Sequence, residues 1–314
     1  MGCCNFCNGD DRSLLPDKGL TKLHEPGVRT LIKWATCYLK SKKIDSPRLT
    51  AELIAEKIIG EKRVWFYIGS EISVDKEKAF LFKREIRRRA RGVPLAYITG
   101  EQQFMGYKFF TPPGVYIPRA DTEVVVEKCI EILNRIANHH SPIVIDLGTG
   151  SGSIAVSIAK KIKNAFVYAI DISSLAIKVA KYNAKSNKVQ KRIEFLLGDL
   201  FLPLEFKNLE NRVDLIVSNP PYIERKQMRF LPPEVKKEPD FALNGGKEGL
   251  NFYKRIIPES LKWLKKGGNL VLEIGYNQAD KVKKIVEMKK NLFTPVQIIN
   301  DLNGNPRVVV TSKK

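Results

Sequence analysis

From residue 143 onward, short apolar runs alternate with stretches of helical period, and few architectures accommodate that rhythm. The runs occupy 143–147, 166–170, 193–197, 213–217 and 269–274, with helical patterns such as 153–161 and 174–186 between them. A five-residue strand that is apolar at nearly every position must be covered on both faces. Helical crossovers supply that cover when the strands run parallel. The expected class is therefore α/β, with a mostly parallel, doubly wound sheet. A last run at 307–311, after Gly304-Asn305-Pro306, is expected to close the sheet as a hairpin partner.

Ahead of this region the pattern differs. Residues 25–91 read as helical, because Val28, Leu31, Ile32, Ala35 and Leu39 recur every three to four positions, as do Leu49, Leu53, Ile54 and Ile58. Ser46 is expected to cap the second helix, with Pro47 at its first position. Between Pro94 and Pro118, aromatic and β-branched residues broken by Gly100, Gly106, Pro112, Pro113 and Gly114 predict a hairpin with turns. The expected division is a tail (1–24), a small helical domain (25–92), a hairpin linker (93–118) and a catalytic domain (119–314).

Composition removes several classes of function. The chain has no run of about 18 apolar residues and no apolar segment of the kind found in signal peptides, so a cytoplasmic protein without a membrane span is expected. Met1-Gly2-Cys3-Cys4-Asn5-Phe6-Cys7 falls short of a myristoylation signal, since Phe6 stands where Ser or Thr is needed. Cys4 and Cys7 have metal-type spacing but no second pair, and no metal site is expected. His139 and His140 read as part of a linker. Lys and Arg total 54 against 34 acidic residues, a net charge of +20 that attracts polyanions through counterion release and makes nucleic acid a secondary candidate partner. The densest cluster, Arg84, Arg87, Arg88 and Arg91, is read first as a solvated helix end favoured by the helix dipole.

The chemistry resides in motifs at the strand ends. In a doubly wound sheet, ligands lie beyond the carboxyl ends of the strands. There stands Asp146-Leu147-Gly148-Thr149-Gly150-Ser151-Gly152, whose glycines let backbone pass close to a ligand before a helix N-terminus. Its Gly-x-Gly-x-Gly spacing departs from the dinucleotide fingerprint. Asp171, ending the next strand, is placed to accept two ribose hydroxyls. Asp199 can accept from an adenine amine, with Leu200 and Ile172 over the ring. About seventy residues beyond the glycine loop comes Asn219-Pro220-Pro221-Tyr222. The prolines stiffen this peptide, and the Asn219 side-chain oxygen with the Pro220 carbonyl can hold an sp² NH₂ group while Tyr222 packs on its planar face. An amide nitrogen is a poor nucleophile, so orientation toward an electrophilic methyl matters more than a strong base.

These residues resemble the PrmC/HemK family of release-factor glutamine methyltransferases over nearly the whole chain after about residue 25. The matching segments include Pro94-Leu95-Ala96-Tyr97-Ile98-Thr99-Gly100, Phe104-Met105-Gly106, residues 117–123, the glycine loop, residues 218–223 and 242–250, Leu272-Glu273-Ile274-Gly275 and Arg307-Val308-Val309-Val310. Ala120 stands where the family usually has proline. The resemblance implies a class I S-adenosylmethionine-dependent methyltransferase, a Rossmann-like doubly wound sheet with an N-terminal helical domain that helps grip a class I peptide chain release factor. The methyl acceptor would be the side-chain nitrogen (N5) of the glutamine in its Gly-Gly-Gln loop, and the enzyme would act as a monomer. Gly148, Thr149, Gly150, Ser151 and Gly152 would line the methionine end of the cofactor. Asp171 would bind ribose, and Asp199 with Leu200 would lie at the adenine. Asn219, Pro220, Pro221 and Tyr222 would hold the glutamine amide, with Asn219 also at the cofactor, and Phe104 and the segment from Arg119 to Glu123 would line the substrate site. Two other readings remain open: an N-methyltransferase acting on an exocyclic amine of rRNA, tRNA or DNA, and a non-catalytic binding module with this fold.

Overall fold

The computed structural model describes residues 25–68 and 71–314. The cysteine cluster at 3–7 and the tail expected over 1–24 lie outside these residues. The described chain forms two compact units, divided between Thr99 and Gly100.

In the first unit, helices α1 (Val28–Ser41), α2 (Pro47–Ile59) and α3 (Lys76–Ala90) bury Leu31, Leu39, Ile54, Phe82 and Ile86 against one another. Each fully buried side chain of this size contributes about 1.5–3 kcal/mol relative to exposure. Helix α2 begins at Pro47 as expected, but Ser46 does not cap it with its side chain. Its backbone is left-handed (φ 47°), and its carbonyl instead accepts from the Thr50 N–H at 2.9 Å. Helix α3 does have a side-chain cap, Asp75 accepting from the Lys78 N–H at 2.7 Å. Within the arginine cluster, Arg84 and Arg88 both donate to the nearly buried Glu85, at 2.9 and 2.6 Å, which offsets part of its charge. A short helix, α4 (Leu95–Thr99), follows where hairpin and turns were expected.

The second unit opens with the antiparallel hairpin β1 (Glu101–Phe104) and β2 (Tyr107–Phe110). After α5 (Asp121–Ala137) come β3 (Ile143–Leu147), α6 (Ser153–Lys161), β4 (Phe166–Asp171), α7 (Ser174–Ser186), β5 (Ile193–Leu197) and β6 (Val213–Ser218). The unit ends with α8 (Asn251–Trp263), β7 (Leu264–Glu273), α9 (Ala279–Glu287), β8 (Gln297–Asn300) and β9 (Pro306–Ser312). The sheet order is β5-β4-β3-β6-β7-β9-β8, with the first five strands parallel, β9 antiparallel to β7 and β8 antiparallel to β9. The run at 307–311 thus lies against β7, and its hairpin partner is β8. Strand β8 left little trace in the sequence because it is an edge strand with mostly exposed side chains.

Alternate residues of each central strand face opposite layers. Val144, Val167, Leu215 and Val271 pack with α5, α6 and α7, while Ile145, Ile170, Ile216 and Leu270 pack with α8 and α9. This two-sided burial is why the strands read as continuous apolar runs. Asn183 of α7 fastens the hairpin to the sheet layer: it accepts from the Phe110 N–H at 2.7 Å and donates to the carbonyls of Phe110 and Ser151 at 3.0 and 2.8 Å.

Candidate active site

The chain leaves β3 toward one edge of the sheet and returns at β6 on β3's other side, so the strand order reverses between them. A crevice opens at such a reversal. In the β3–β6 register Leu147 pairs with Ser218, and the Ser218 hydroxyl donates to the Leu147 carbonyl at 2.7 Å. Two motifs separated by about seventy residues of sequence therefore leave the sheet side by side. Between them lies a cavity of about 730 Å³, within the range of about 300–1,000 Å³ usual for small-molecule sites.

Gly148, Thr149, Gly150, Ser151, Asp171, Asp199, Leu200, Arg119 and the tetrapeptide from Asn219 to Tyr222 all line this cavity. Gly150 has φ +56°, and a Cβ built there meets nothing within 4 Å, so the backbone faces open space that a side chain would fill. Asp171 is 8% exposed, and burial holds its carboxyl above the usual carboxylate range. Its two oxygens accept from the Ser173 and Gly150 N–H groups, both at 2.8 Å. Each oxygen keeps a further lone pair, and a diol donating to both would satisfy them without a cation. The Ser151 hydroxyl, also in the wall, is buried with no hydrogen-bond partner. Leu200 has φ +48°, a left-handed backbone uncommon for a branched side chain. Asp199 is engaged by a residue to which no sequence motif points: Arg255 of α8 donates to it at 2.6 Å. A polar, sugar-like end and an apolar, ring-covering end thus occur in one wall, which is the donor set an adenosine-bearing cofactor requires.

Two expected site residues lie elsewhere. Phe104 is 1% exposed and packs edge-on to Phe109 inside the core, so it is not a wall of the cavity. Gly152 sits behind the loop (φ +82°), where a Cβ would press on Ala180 at 3.0 Å; it brings α6 close to α7. Arg119 does reach the wall, with its guanidinium paired to the buried Glu238 and lying over the Tyr116 ring.

The tetrapeptide is braced from behind by residues that the motifs alone do not reveal. Gln278 donates to the Tyr222 carbonyl at 2.9 Å, and Ile223 exchanges backbone hydrogen bonds with Leu243 and Gly245. A Cβ on Gly245 would stand 2.7 Å from the Pro221 carbonyl oxygen, so only glycine allows that approach. The Asn219 amide donates to the Thr122 hydroxyl at 3.2 Å. Glu273, at the end of β7, is 1% exposed, and burial pushes its carboxyl up to about 7. Asp146 is likewise fully buried and pushed up to about 7, although Thr149 and the Ala155 N–H donate to it. Thr122 lies in the segment from Arg119 to Glu123 that the resemblance puts at the site, and it lines the cavity; Glu273 also falls within a segment of resemblance, but no spacing rule assigns it a role. Among the described residues, no three His, Cys, Asp or Glu side chains gather as a metal site would need.

Comparison with known proteins shows the family of the chain. A family model described as the PrmC N-terminal domain matches residues 30–100, and one described as the methyltransferase small domain matches 107–231. A release factor glutamine methyltransferase from Geobacter sulfurreducens is 38% identical over 283 residues, spanning 90% of this chain and 95% of that protein. The chain belongs to the release factor glutamine methyltransferase family. Among solved structures, a release factor-specific protein-(glutamine-N5) methyltransferase from Alicyclobacillus acidocaldarius is 32% identical, covering 63% of this methyltransferase and 94% of that chain with a TM-score of 0.41. The hMettl16 catalytic domain, solved with an RNA hairpin, is 16% identical, covers 89% of this chain and 91% of its own, and has a TM-score of 0.53; it shares the fold alone. No helix among the described residues is long and apolar enough to cross a membrane.

Proposed function

We propose that this methyltransferase transfers the methyl group of S-adenosylmethionine to the side-chain N5 nitrogen of the glutamine in the Gly-Gly-Gln loop of class I peptide chain release factors. The observation that carries this reading is the β3–β6 register, which puts the glycine loop beside a stiff tetrapeptide whose Asn219 amide donates to Thr122. S-adenosylmethionine supplies a methyl carbon bonded to a positively charged sulfur. The chain supplies position. Gly148 to Ser151 and Asp171 hold one end of the cofactor, and Asp199 with Leu200 holds the other. The Asn219 side-chain oxygen and the Pro220 carbonyl accept the two N–H bonds of the glutamine amide, and Tyr222 closes on its plane. So held, the nitrogen would face the methyl carbon; the bound cofactor would supply the methyl group and leave as S-adenosylhomocysteine, and the proton lost from the nitrogen would pass to solvent. Orientation of this kind replaces a strong base, and well-aligned reactants gain about 7–11 kcal/mol over free encounter.

The helical domain over 25–92 grips the release factor, a role supported by the PrmC N-terminal match. Every residue assigned to the reaction comes from one chain, so a monomer suffices, and the substrate places the reaction in the cytoplasm. The test is incubation with labelled S-adenosylmethionine, a class I release factor, and the same factor with its Gly-Gly-Gln glutamine changed to alanine. Label in the first and not the second is expected. Label entering protein-free RNA or DNA instead would replace this reading with the nucleic-acid one.

A further inference from the structure

Between the tetrapeptide and α8 the chain makes a long excursion, residues 224–243, whose regular structure is three 3₁₀ turns, Arg225–Phe230, Val235–Lys237 and Asp240–Ala242. Loops of that length inside a compact unit are usually functional. This one begins and ends at the same place. The Ile223 N–H donates to the Leu243 carbonyl at 2.9 Å, the Gly245 N–H to the Ile223 carbonyl at 2.8 Å and the Arg225 N–H to the Gly246 carbonyl at 2.9 Å, so the stem is fixed beside Tyr222. Further out, turn bonds tie the loop to itself: Lys236 N–H to the Pro232 carbonyl at 3.1 Å, Glu238 N–H to Val235 at 3.0 Å and Ala242 N–H to Pro239 at 3.0 Å. Such bonds shape a loop without deciding where it lies. Leu231, Val235 and Phe241 nevertheless line the cavity, with Phe241 half exposed at its mouth.

A buried carboxylate carries the loop there. Glu238, 5% exposed, accepts from the Ile117 N–H at 3.0 Å and from the Arg119 guanidinium, 121 and 119 positions away in sequence. Both partners belong to the segment 114–119, which lines the same cavity and starts on the cofactor side: a Cβ on Gly114 would stand 3.0 Å from Leu175 of α7. The Arg119 guanidinium also lies over the Tyr116 ring, 5.4 Å from its centroid. A carboxylate buried with a guanidinium and a backbone N–H is satisfied only while the two segments touch, and parting them strands a charge. We infer that Glu238 is a positioning residue that, through Arg119 and Ile117, clasps the 224–243 loop to the 114–119 segment and so fixes the lip that receives the peptide carrying the glutamine. This rests on the reading of the cavity as the place where the Gly-Gly-Gln loop enters.

The clasp gives Arg119 a different task from the one the family resemblance implies. An arginine that itself holds the substrate would be released by the loss of Glu238, and changes at the two positions would act independently. A clasp fails when either half is lost, and losing the second half adds nothing. Leu231, Val235 and Phe241 belong to the lip and not to the tetrapeptide that holds the amide, so a loosened lip weakens substrate binding more than the chemical step. The cofactor is held by the glycine loop and Asp171 through contacts of their own, and its affinity is left almost untouched.

The experiment measures kcat and KM for a class I release factor, S-adenosylmethionine affinity by calorimetry, and amide hydrogen exchange over residues 226–242. Wild type is compared with Arg119→Ala, Arg119→Lys, Glu238→Gln and the double variant Arg119→Ala/Glu238→Gln. The expected result is a KM raised about 10-fold or more in Arg119→Ala and in Glu238→Gln, with kcat lowered less than about threefold. The double variant raises KM no further than the worse single change, the non-additivity of two residues in contact. Arg119→Lys keeps a cation within reach of Glu238 and recovers part of the loss. Exchange over 226–242 speeds up about 10-fold or more in both single variants, while cofactor affinity stays within about twofold. If Glu238→Gln does not fold, exchange of the loop in Arg119→Ala decides alone, since the arginine side chain is the exposed half of the pair. Single effects that multiply in the double variant, a wild-type KM in Glu238→Gln, or unchanged loop exchange in Arg119→Ala overturns the inference. Any of these in an enzyme that labels the release factor overturns the inference alone. A wild type that binds S-adenosylmethionine yet leaves the release factor unlabelled overturns the substrate reading and this inference with it.

Discussion

The two walls of the cavity are built on different principles. The wall formed by the ends of β3, β4 and β5 works mainly through backbone and single carboxylates: Asp171 takes two N–H groups of its own neighbourhood, and the glycine loop offers open backbone. The wall formed at the end of β6 works through support from behind, with Thr122, Gln278 and Gly245 drawn from separate stretches of chain. A nucleotide-type cofactor offers many polar groups, each met by a local donor or acceptor. A lone amide offers few, so its holder must be rigid. Rigidity here comes from long-range contacts.

If that division is right, damage to the two walls should separate binding from turnover. The largest expected effect is that of Asn219→Ala, which should lower kcat by about 10² or more while calorimetric affinity for S-adenosylmethionine stays within about twofold. Asp171→Ala should do the reverse, weakening cofactor affinity by about 10- to 100-fold through loss of two charge-assisted hydrogen bonds worth about 1.5–3 kcal/mol each before compensation by water. Parallel loss of binding and turnover in both variants would erase the distinction between the walls. Gly245→Ala introduces a Cβ against the Pro221 carbonyl and should cost about 1–3 kcal/mol of stability in chemical denaturation, with a further loss of turnover if the tetrapeptide is pushed forward. Arg255→Ala should be the mildest. Its pair with Asp199 is half exposed, and such pairs contribute about 0–1 kcal/mol, so cofactor affinity should change less than about fivefold.

The same contrast explains what the sequence disclosed. Strands buried on both faces are apolar at nearly every position, so β3, β4 and β6 could be read directly; β5 is a partly buried edge strand and was legible only because Ile193, Phe195, Leu196 and Leu197 still form an apolar run. The glycine loop, Asp171 and Asn219 sit at strand ends, where position alone gives them a role. Edge strand β8 carries no such pattern, and α4 replaced an expected turn because Leu95 to Thr99 is too short for helical periodicity to register. Ser46 looked like a cap, but its left-handed backbone leaves the carbonyl, not the hydroxyl, to close the first turn. Phe104 belonged to a segment of family resemblance, and only its burial reveals that it serves the core. Arg255, Gln278 and Glu238 act through partners more than fifty residues away, a distance over which residue type and spacing carry no signal.

The most direct test is to digest a class I release factor after reaction with the wild-type enzyme and S-adenosylmethionine, and to locate the added methyl group by tandem mass spectrometry. The account predicts a single methyl on the side-chain nitrogen of the Gly-Gly-Gln glutamine. A methyl on any other atom of the factor, or an unmodified factor beside methylated RNA, would contradict it.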